Sequence, residues 1–278
     1  MNDKFFIFLL LITTVIISCR TPRFIYSPAP PNNPYFREKG ESKLAAYYSS
    51  AVNENDLEPE NEYNHGFDIQ AAYAISDNWA LTADYFNRKE KDVFFNYNRS
   101  LFDSSIVRYN RNLTNFGLGY FTPLSKDKQI VFNIFGGLGF GKFSFTDNGF
   151  DNVIAYSREY QSNMSRWYIQ PAFNFFPGKY FRTALIGKIS WVHYSKAKTS
   201  YTTPELEYFD LQFLSGNTLT FFEATWNMQV TFKNMKWFSL DGGLTLSSEP
   251  FDNNTYLDAR NFNASIGLCI DFSRMAKK

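Results

Sequence analysis

Strict alternation of apolar and polar residues is the feature that most constrains the fold of this chain. In the last segment the apolar positions are Phe262, Ala264, Ile266, Leu268, Ile270 and Phe272. The positions between them are Asn261, Asn263, Ser265, Gly267, Cys269 and Asp271. Such a period of two belongs to a β-strand with one apolar and one polar face. Because no helical period is sustained after residue 40, the sequence predicts an all-β fold.

Ten segments have this strand character, and eight or twelve strands are also compatible with the pattern. They lie near residues 43–52, 66–74, 79–87, 109–121, 129–145, 164–176, 181–194, 218–232, 238–246 and 262–272. Short turns alternate with long polar segments near 53–62, 88–108, 147–161, 197–217 and 250–258. Tight periplasmic turns and longer extracellular loops are typical of outer-membrane barrels. We therefore expect an antiparallel up-and-down barrel with both chain ends on the periplasmic, short-turn side.

Large aromatic residues near the predicted strand ends indicate which face of the sheet points outward. They are Trp79, Tyr85, Tyr120, Trp167, Trp191, Phe232 and Trp237. Aromatic girdles mark the two lipid interfaces of a transmembrane barrel, and the aromatic content of 19% exceeds what one soluble core needs. We therefore expect the apolar rows to face lipid. The alternative is a soluble, lipocalin-like barrel that carries apolar ligands in the periplasm.

The opposite, polar rows would then face the lumen. Their charged members are Lys43, Asp68, Asp84, Arg166, Arg182, Lys188, Glu223, Asp241 and Asp271. Narrow barrels usually fill their interior with side chains, so we expect a polar network of ion pairs and hydrogen bonds. A polar conduit or a binding site is the alternative interpretation of the same residues.

The N-terminus carries export signals. An apolar run over residues 5–17 follows Lys4 and has the length of a signal peptide rather than of a membrane-spanning helix. The run ends in Ile-Ile-Ser-Cys, which resembles the lipobox of bacterial lipoproteins. This resemblance implies that residues 1–18 are removed and that Cys19 is acylated, with the lipid in the inner leaflet. A plain secretory signal that ends near a cysteine is the alternative.

Residues 19–40 are expected to be a lipidated, proline-rich tether that leads to a barrel over residues 41–278, because prolines favour an extended chain. The sequence leaves open whether these prolines fold into the lumen as a plug. The residues of this region that carry a family resemblance are Tyr26, Pro28, Asn33, Pro34, Phe36, Glu38, Lys39, Gly40 and Glu41. Over about sixteen residues the segment resembles the start of uncharacterised Bacteroidota outer-membrane β-barrel lipoproteins. That group has no established activity, so the resemblance implies only a location in the outer membrane. The absence of an acidic cluster after Cys19 implies retention on the periplasmic side.

Catalytic and metal-binding patterns are sparse. The chain has two histidines, and His65 near Asp68 is the one pair that a hydrolase at the extracellular rim of a barrel would use. There is no CxxC, HxxxH or calcium-loop pattern, so we expect no metal and no cofactor. The net charge of +1 gives no reason to expect a nucleic-acid partner. We expect a non-enzymatic barrel with a structural, narrow-pore or surface-binding role. Its partners would be membrane lipid and an extracellular ligand at the long loops, and a rim hydrolase is the second alternative.

Overall fold

Ten antiparallel strands close into a barrel in the computed structural model, which describes residues 22–52, 63–96, 103–151, 154–248 and 256–275. The strands are β1 (Arg23–Tyr26), β2 (Ser42–Val52), β3 (Tyr63–Ala74), β4 (Trp79–Asn96), β5 (Asp103–Pro123), β6 (Ile130–Asp151), β7 (Ile154–Phe175), β8 (Phe181–Thr199), β9 (Thr218–Phe232), β10 (Met235–Ser248), β11 (Leu257–Ala259) and β12 (Phe262–Ile270). The barrel consists of β2 to β10 and β12, and β12 pairs with both β10 and β2. The predicted all-β barrel of about ten strands is confirmed.

The helices of the described residues are short, and none has the length and apolar character needed to cross a membrane. They are α1 (Thr203–Tyr208), α2 (Leu211–Leu214) and α3 (Phe272–Met275). Helices α1 and α2 lie in the connection between β8 and β9, and α3 follows the last strand. We call the end of the barrel with the tight turns the turn end, and the opposite end the loop end.

Two predicted loops are wrong, because their residues continue the strands. Strands β4 and β5 pair without interruption from Trp79 opposite Tyr120 to Asn96 opposite Asp103. Strands β6 and β7 likewise pair as far as Asp151 opposite Ile154. The apolar outward pattern ends earlier than the strands because the outward face becomes polar beyond the membrane, while rings such as Phe143 and Phe145 face inward. Backbone pairing does not need apolar side chains on the outward face. The predicted loop at 53–62 lies outside the described residues.

The outward face carries an apolar belt, which confirms the transmembrane interpretation over the soluble carrier. Ile266 is 55% exposed and Leu268 51%, whereas the inward Asp241 and Asn263 are 1% and 0% exposed. On β6 the outward apolar residues extend from Ile130 to Phe140 and are followed by polar residues. Ten residue steps along a tilted strand correspond to about 25 Å of height, which is the thickness of the apolar band of a membrane barrel.

Small residues in the wall allow large rings to fill the interior. A Cβ atom on Gly119 of β5 would lie 2.1 Å from the ring of Phe135 on β6. A Cβ atom on Gly267 of β12 would lie 2.4 Å from the ring of Tyr47 on β2. Each ring therefore occupies the space that the neighbouring glycine leaves open, so these glycines are required by close approach.

Candidate functional site

The segment before the first barrel strand crosses the lumen from one end to the other. We call residues 22–41 the plug. Strand β1 pairs in parallel with β11 at the loop end. Further along, Phe36 packs edge-on against Phe121 at the turn end, with ring centroids 6.1 Å apart. The Gly40 N–H then donates to the carbonyl of Ala74 at 2.9 Å, and the chain enters β2. The proline-rich segment is thus folded inside the barrel.

The direction of the plug corrects the predicted position of the N-terminal part of the chain. Ser42 and Ile270, the ends of the barrel sheet, lie at the turn end, as an even number of strands requires. Pro22 and Arg23, however, lie at the loop end, because the plug adds one further crossing of the lumen. The expectation that the chain approaches the barrel from the turn end is therefore wrong for the described residues. Cys19 lies outside them.

Prolines explain why the part of the plug after β1 is a single extended chain rather than part of a sheet. Four residues of this part lack a backbone N–H, at positions 28, 30, 31 and 34. Several other backbone groups of the plug bond to side chains of the wall. The hydroxyl of Tyr194 donates to the carbonyl of Ile25 at 2.8 Å, and the hydroxyl of Tyr109 accepts from the Phe24 N–H at 3.2 Å. The amide of Gln70 donates to the carbonyl of Pro30 at 2.9 Å. Buried backbone groups need such partners.

A cluster of buried charges holds the plug at the loop end. Glu90 is fully buried and accepts a hydrogen bond from Arg111, and the Nε of Arg260 lies 3.8 Å from the same carboxylate. Arg260 also pairs with Asp92 at 2.5 Å. Both arginines contact the plug: Arg111 donates to the carbonyl of Phe24, and the Arg260 guanidinium lies 3.7 Å from the centroid of the Phe24 ring. The carboxylates thus orient two cations that bind one plug residue.

A second charge contact lies above this cluster. Arg23 of the plug pairs with Asp147 of β6 at 2.5 Å, and both side chains are buried. The Asp147 carboxylate also accepts hydrogen bonds from the hydroxyls of Tyr201 at 2.9 Å and Ser105 at 2.6 Å. Burial raises the pKa of the Tyr201 hydroxyl, which therefore remains a donor. The guanidinium carbon of Arg23 lies 4.1 Å from the ring centroid of Phe209. The charge of Arg23 is thus compensated within the lumen.

The middle and the turn end of the lumen bind the plug through polar side chains predicted to face inward. The ring of Tyr26 stacks on Phe221, with centroids 3.9 Å apart, and its hydroxyl donates to Glu223. Lys188 pairs with Glu223 at 3.1 Å. Nearer the turn end, Lys43 donates to the carbonyl of the fully buried Asn33 at 3.2 Å. The plug is therefore bonded along its whole length.

The other predicted lumen residues contact the wall. Asp68 accepts from the Ser49 hydroxyl at 3.3 Å, and Asp84 accepts from the amide of Asn115. Asp241 accepts from the hydroxyl of Tyr47 at 2.9 Å. Arg166 lies over the ring of Tyr168, and Arg182 is buried near the turn end. Asp271 lies just past β12, where it pairs with Arg274 at 3.0 Å, so it is outside the lumen network.

The predicted girdle residues fall mainly at the edges of the apolar belt. Trp79, Tyr120 and Phe232 lie on the outward face at the turn end. Tyr85, Trp167 and Trp191 are the last apolar residues of their outward rows before polar residues begin, so they mark the other edge. Trp237 lies near the turn end of β10 and is partly buried. A register irregularity between Met235 and Ser239 interrupts the alternation there.

The structure separates the histidines from the lumen acids. His65 lies on the outward row of β3, where its ring stacks with Tyr48 at a centroid distance of 6.4 Å, whereas Asp68 faces inward. The two residues are on opposite faces of one strand, so they do not form the hypothetical catalytic pair. His193 also lies on an outward row, near Thr218. Among the described residues, no group of three or more His, Cys, Asp and Glu side chains could hold a metal ion.

Sequence reasoning missed the buried charged residues at the loop end. It assigned Arg88, Glu90, Asp92 and Asp147 to loops, and it included neither Arg111 of a predicted strand nor Arg260 among the lumen residues. A signal was present on β4, where Arg88, Glu90 and Asp92 follow Asp84 at every second position. Residues two apart in a strand share one face, so this spacing alone would have placed the three side chains in the lumen.

These features define a class: a transmembrane β-barrel whose lumen is occupied by its own N-terminal segment. A scan against protein-family models found no match, and a search of curated proteins also found none.

Several solved structures are similar in fold. The outer-membrane protease OmpT from Escherichia coli has 10% identity and a TM-score of 0.49, covering 88% of this chain and 99% of that chain. The translocator domain of the autotransporter NalP from Neisseria meningitidis has 6% identity and a TM-score of 0.47, covering 84% and 88%. The COG4313 outer membrane channel from Pseudomonas putida F1 has 11% identity and a TM-score of 0.38, covering 88% and 100%. We transfer no residue role from these proteins.

Proposed function

We propose that this chain is a non-enzymatic outer-membrane lipoprotein whose closed barrel displays a binding surface at its loop end. The observation that carries the proposal is the plug, which is bonded to the wall from Arg23 to Gly40. A solute could cross only if the plug left the lumen, so the narrow-pore interpretation loses its support. The structural and surface-binding interpretations are both compatible with a filled lumen.

The surface that we assign to an extracellular ligand is the loop-end cap, residues 200–217 together with Tyr256. Tyr208 of α1 is 58% exposed, and its ring lies 4.8 Å from that of Tyr256. The Tyr256 N–H donates to the Asp210 carboxylate at 2.9 Å, which joins the two connections. Arg158 of β7 pairs with Glu205 at 2.8 Å, and these hydrogen bonds lower the pKa of Glu205 to about 2. Exposed rings on an ordered support suit sugar or other ring-bearing ligands.

The direction of the plug also bears on the lipid anchor. Four residue steps separate Cys19 from Arg23, and an extended chain spans at most about 14 Å over that number. The described start of the chain lies on the loop-end side of the barrel, whereas the lipobox resemblance implies a lipid in the inner leaflet, on the turn-end side.

Antibody access to epitopes on intact cells tests this placement. One epitope is inserted after Arg20, and the control epitope is appended after Lys278, because α3 lies at the turn end. We expect the first epitope to be bound on intact cells and the second only after permeabilisation. Binding of the first epitope only after permeabilisation would refute the loop-end placement.

Conductance of the full chain in planar bilayers tests the closed barrel. We expect no stable conductance steps, since the plug fills the lumen at the loop end, the middle and the turn end. Steady conductance of the unmodified protein would contradict the proposal and return the chain to the pore interpretation.

Loss of binding to surface polysaccharide on Tyr208→Ala, with Tyr180→Ala at the turn end as control, would support the loop-end cap.

A further inference from the structure

A cavity opens at the turn end of the barrel, below the plug and remote from the loop-end cap. Its volume is about 410 Å³, within the range of small-molecule sites. Its cationic lining residues are Arg37, Lys179, Arg182, Lys236 and Arg274. Its acidic lining residues are Glu38 and Glu41. We call this cavity the turn-end pocket. None of the roles assigned so far uses it.

Arg182 is the least exposed arginine of the pocket, and the nearby acids Glu41 and Asp271 act on it without forming a direct ion pair. Arg182 faces inward on β8 and is 8% exposed. Its guanidinium carbon lies 5.8 Å from the ring centroid of Phe176, and that of Arg37 lies 4.8 Å from the same ring. Within the part of the chain that the structure describes, the Arg182 side chain has no hydrogen bond or ion pair. The guanidinium has five N–H donors and faces the cavity, so water or a bound anion there supplies its acceptors.

The charges of the lining favour an anion with about two negative charges. Arg274 is neutralised by Asp271 at 3.0 Å. The Glu41 carboxylate accepts hydrogen bonds from the backbone N–H groups of Arg37 at 2.5 Å and Glu38 at 3.3 Å, so it is held at the edge of the plug. The four remaining cations then exceed the two glutamates by two charges. A phosphate monoester carries a charge of about −1.5 to −2 at pH 7.

We propose that the turn-end pocket binds a phosphate-bearing small molecule. Arg182 is the buried donor, and Lys236 is a cation at the mouth. Guanidinium groups match phosphate oxygens with two parallel hydrogen bonds, and two arginines against one aromatic ring present two such forks. The phosphate can belong to a free phosphorylated solute or to a lipid headgroup, because both approach this end of the barrel.

Calorimetric titration with glycerol 3-phosphate tests the pocket, with the full chain in phosphatidylcholine nanodiscs. We expect saturable binding that weakens at least about ten-fold on Arg182→Gln, which removes a bidentate donor. Lys236→Gln should weaken binding about three- to ten-fold, since it removes one nearby charge. Lys126→Gln is the matched control, because this lysine is exposed in the turn between β5 and β6. It should leave the affinity unchanged.

The lipid composition of the nanodiscs distinguishes the two sources. Weaker apparent affinity in discs that contain phosphatidic acid, whose headgroup is a phosphate monoester, would support the pocket with a headgroup as occupant, and equal affinity would support it with a free solute. Absence of saturable binding would overturn the proposal. So would equal losses for Lys236→Gln and Lys126→Gln, or acetate binding as tightly as the phosphate. The exposed Lys236 keeps the test valid even if Arg182→Gln fails to fold.

Discussion

Neutralising Glu90 should release the plug without unfolding the barrel. Glu90 is the carboxylate between Arg111 and Arg260, and both of these cations bind Phe24 of the plug. The substitution Glu90→Gln keeps the size of the side chain and removes its charge. Arg260 retains Asp92, but Arg111 loses its anionic partner within the buried cluster. The perturbation therefore acts on the contact that fixes the first residues of the plug.

The size of the effect follows from the burial of the cluster. Removing one partner of a buried ion pair costs about 3–5 kcal/mol. We take about 3 kcal/mol, because Asp92 still compensates one of the two arginines. The cost falls on the plugged state alone, since water reaches both guanidinium groups once the plug has left. At about 1.4 kcal/mol for each factor of ten, the released fraction should rise more than about 100-fold.

Thiol labelling measures the released fraction directly. Ala29 is a buried plug residue of suitable size, so Ala29→Cys in a Cys269→Ser background reports only when the plug opens. When opening and closing are faster than labelling, the labelling rate is proportional to the open population. We expect the rate to rise more than about 100-fold in Glu90→Gln. Heat-modifiable migration on gels should be retained, because the substitution leaves the backbone hydrogen bonds between the barrel strands unchanged.

The matched control is Glu159→Gln, the same chemical change at an exposed position of β7. Its labelling rate should equal that of the parent. An unchanged rate in Glu90→Gln, or the same rise in Glu159→Gln, would refute the argument that the buried cluster holds the plug.

Three further expectations follow. Gly119→Leu should abolish the heat-modifiable folded band, because even its Cβ would lie 2.1 Å from the ring of Phe135. Glu205→Gln should speed amide exchange in α1, since it removes the pair with Arg158. The pKa of Glu205 is lowered to about 2, so this pair contributes fully above the ordinary carboxyl pKa, and protection should be lost only as the pH falls toward 2. Trp226 lies in the middle of the outward face of β9, so as a single tryptophan it should be quenched best by lipids brominated deep in their chains.

Each of these expectations has an internal control. Gly242→Ala should fold, because its Cβ would lie 3.6 Å from the nearest atom. Glu207→Gln alters an exposed residue of the same helix and should leave exchange in α1 unchanged. Trp79 lies at the turn-end edge of the belt and should be quenched best by shallow bromines. Folding of Gly119→Leu, loss of α1 protection already near pH 5 or deep quenching of Trp79 would each contradict the corresponding argument.

The barrel could be predicted from the sequence because the membrane imposes a simple rule on it. Because the barrel has lipid outside and polar groups inside, successive residues alternate between apolar and polar. The sequence alone therefore predicted that Leu268 faces lipid and that Asp241 faces the lumen. This alternation is imposed only on the part of each strand that lies within the membrane. Beyond Tyr85 the next outward residues of β4 are Asn87, Lys89 and Lys91, so the apolar row is interrupted while the strand continues to Asn96. Strand length above the membrane was therefore underestimated.

The plug could not be predicted for a different reason. Residues such as Asn33 and Phe24 make their contacts with strands far away in the chain, and no local period records such contacts. Composition showed only that the prolines prevent a helix or a sheet. An extended tether in water and an extended chain in a lumen satisfy that condition equally well. What distinguishes the two is the set of wall residues that contact the plug, and only the closed barrel brings these residues together.

Strand number and plug are physically coupled in this molecule. A barrel of about eight strands has an interior that its own side chains fill, and each added strand widens it. Ten strands leave a central space that wall residues such as Lys43 and Glu223 do not close by themselves. An extended chain fits this space, and its Phe24 carbonyl replaces water as an acceptor for Arg111. If the plug left, Arg88, Arg111 and Arg260 would line a water-filled passage together with the three buried acids Glu90, Asp92 and Asp147. The plug is therefore part of the core of this barrel, because without it these buried charges would face water.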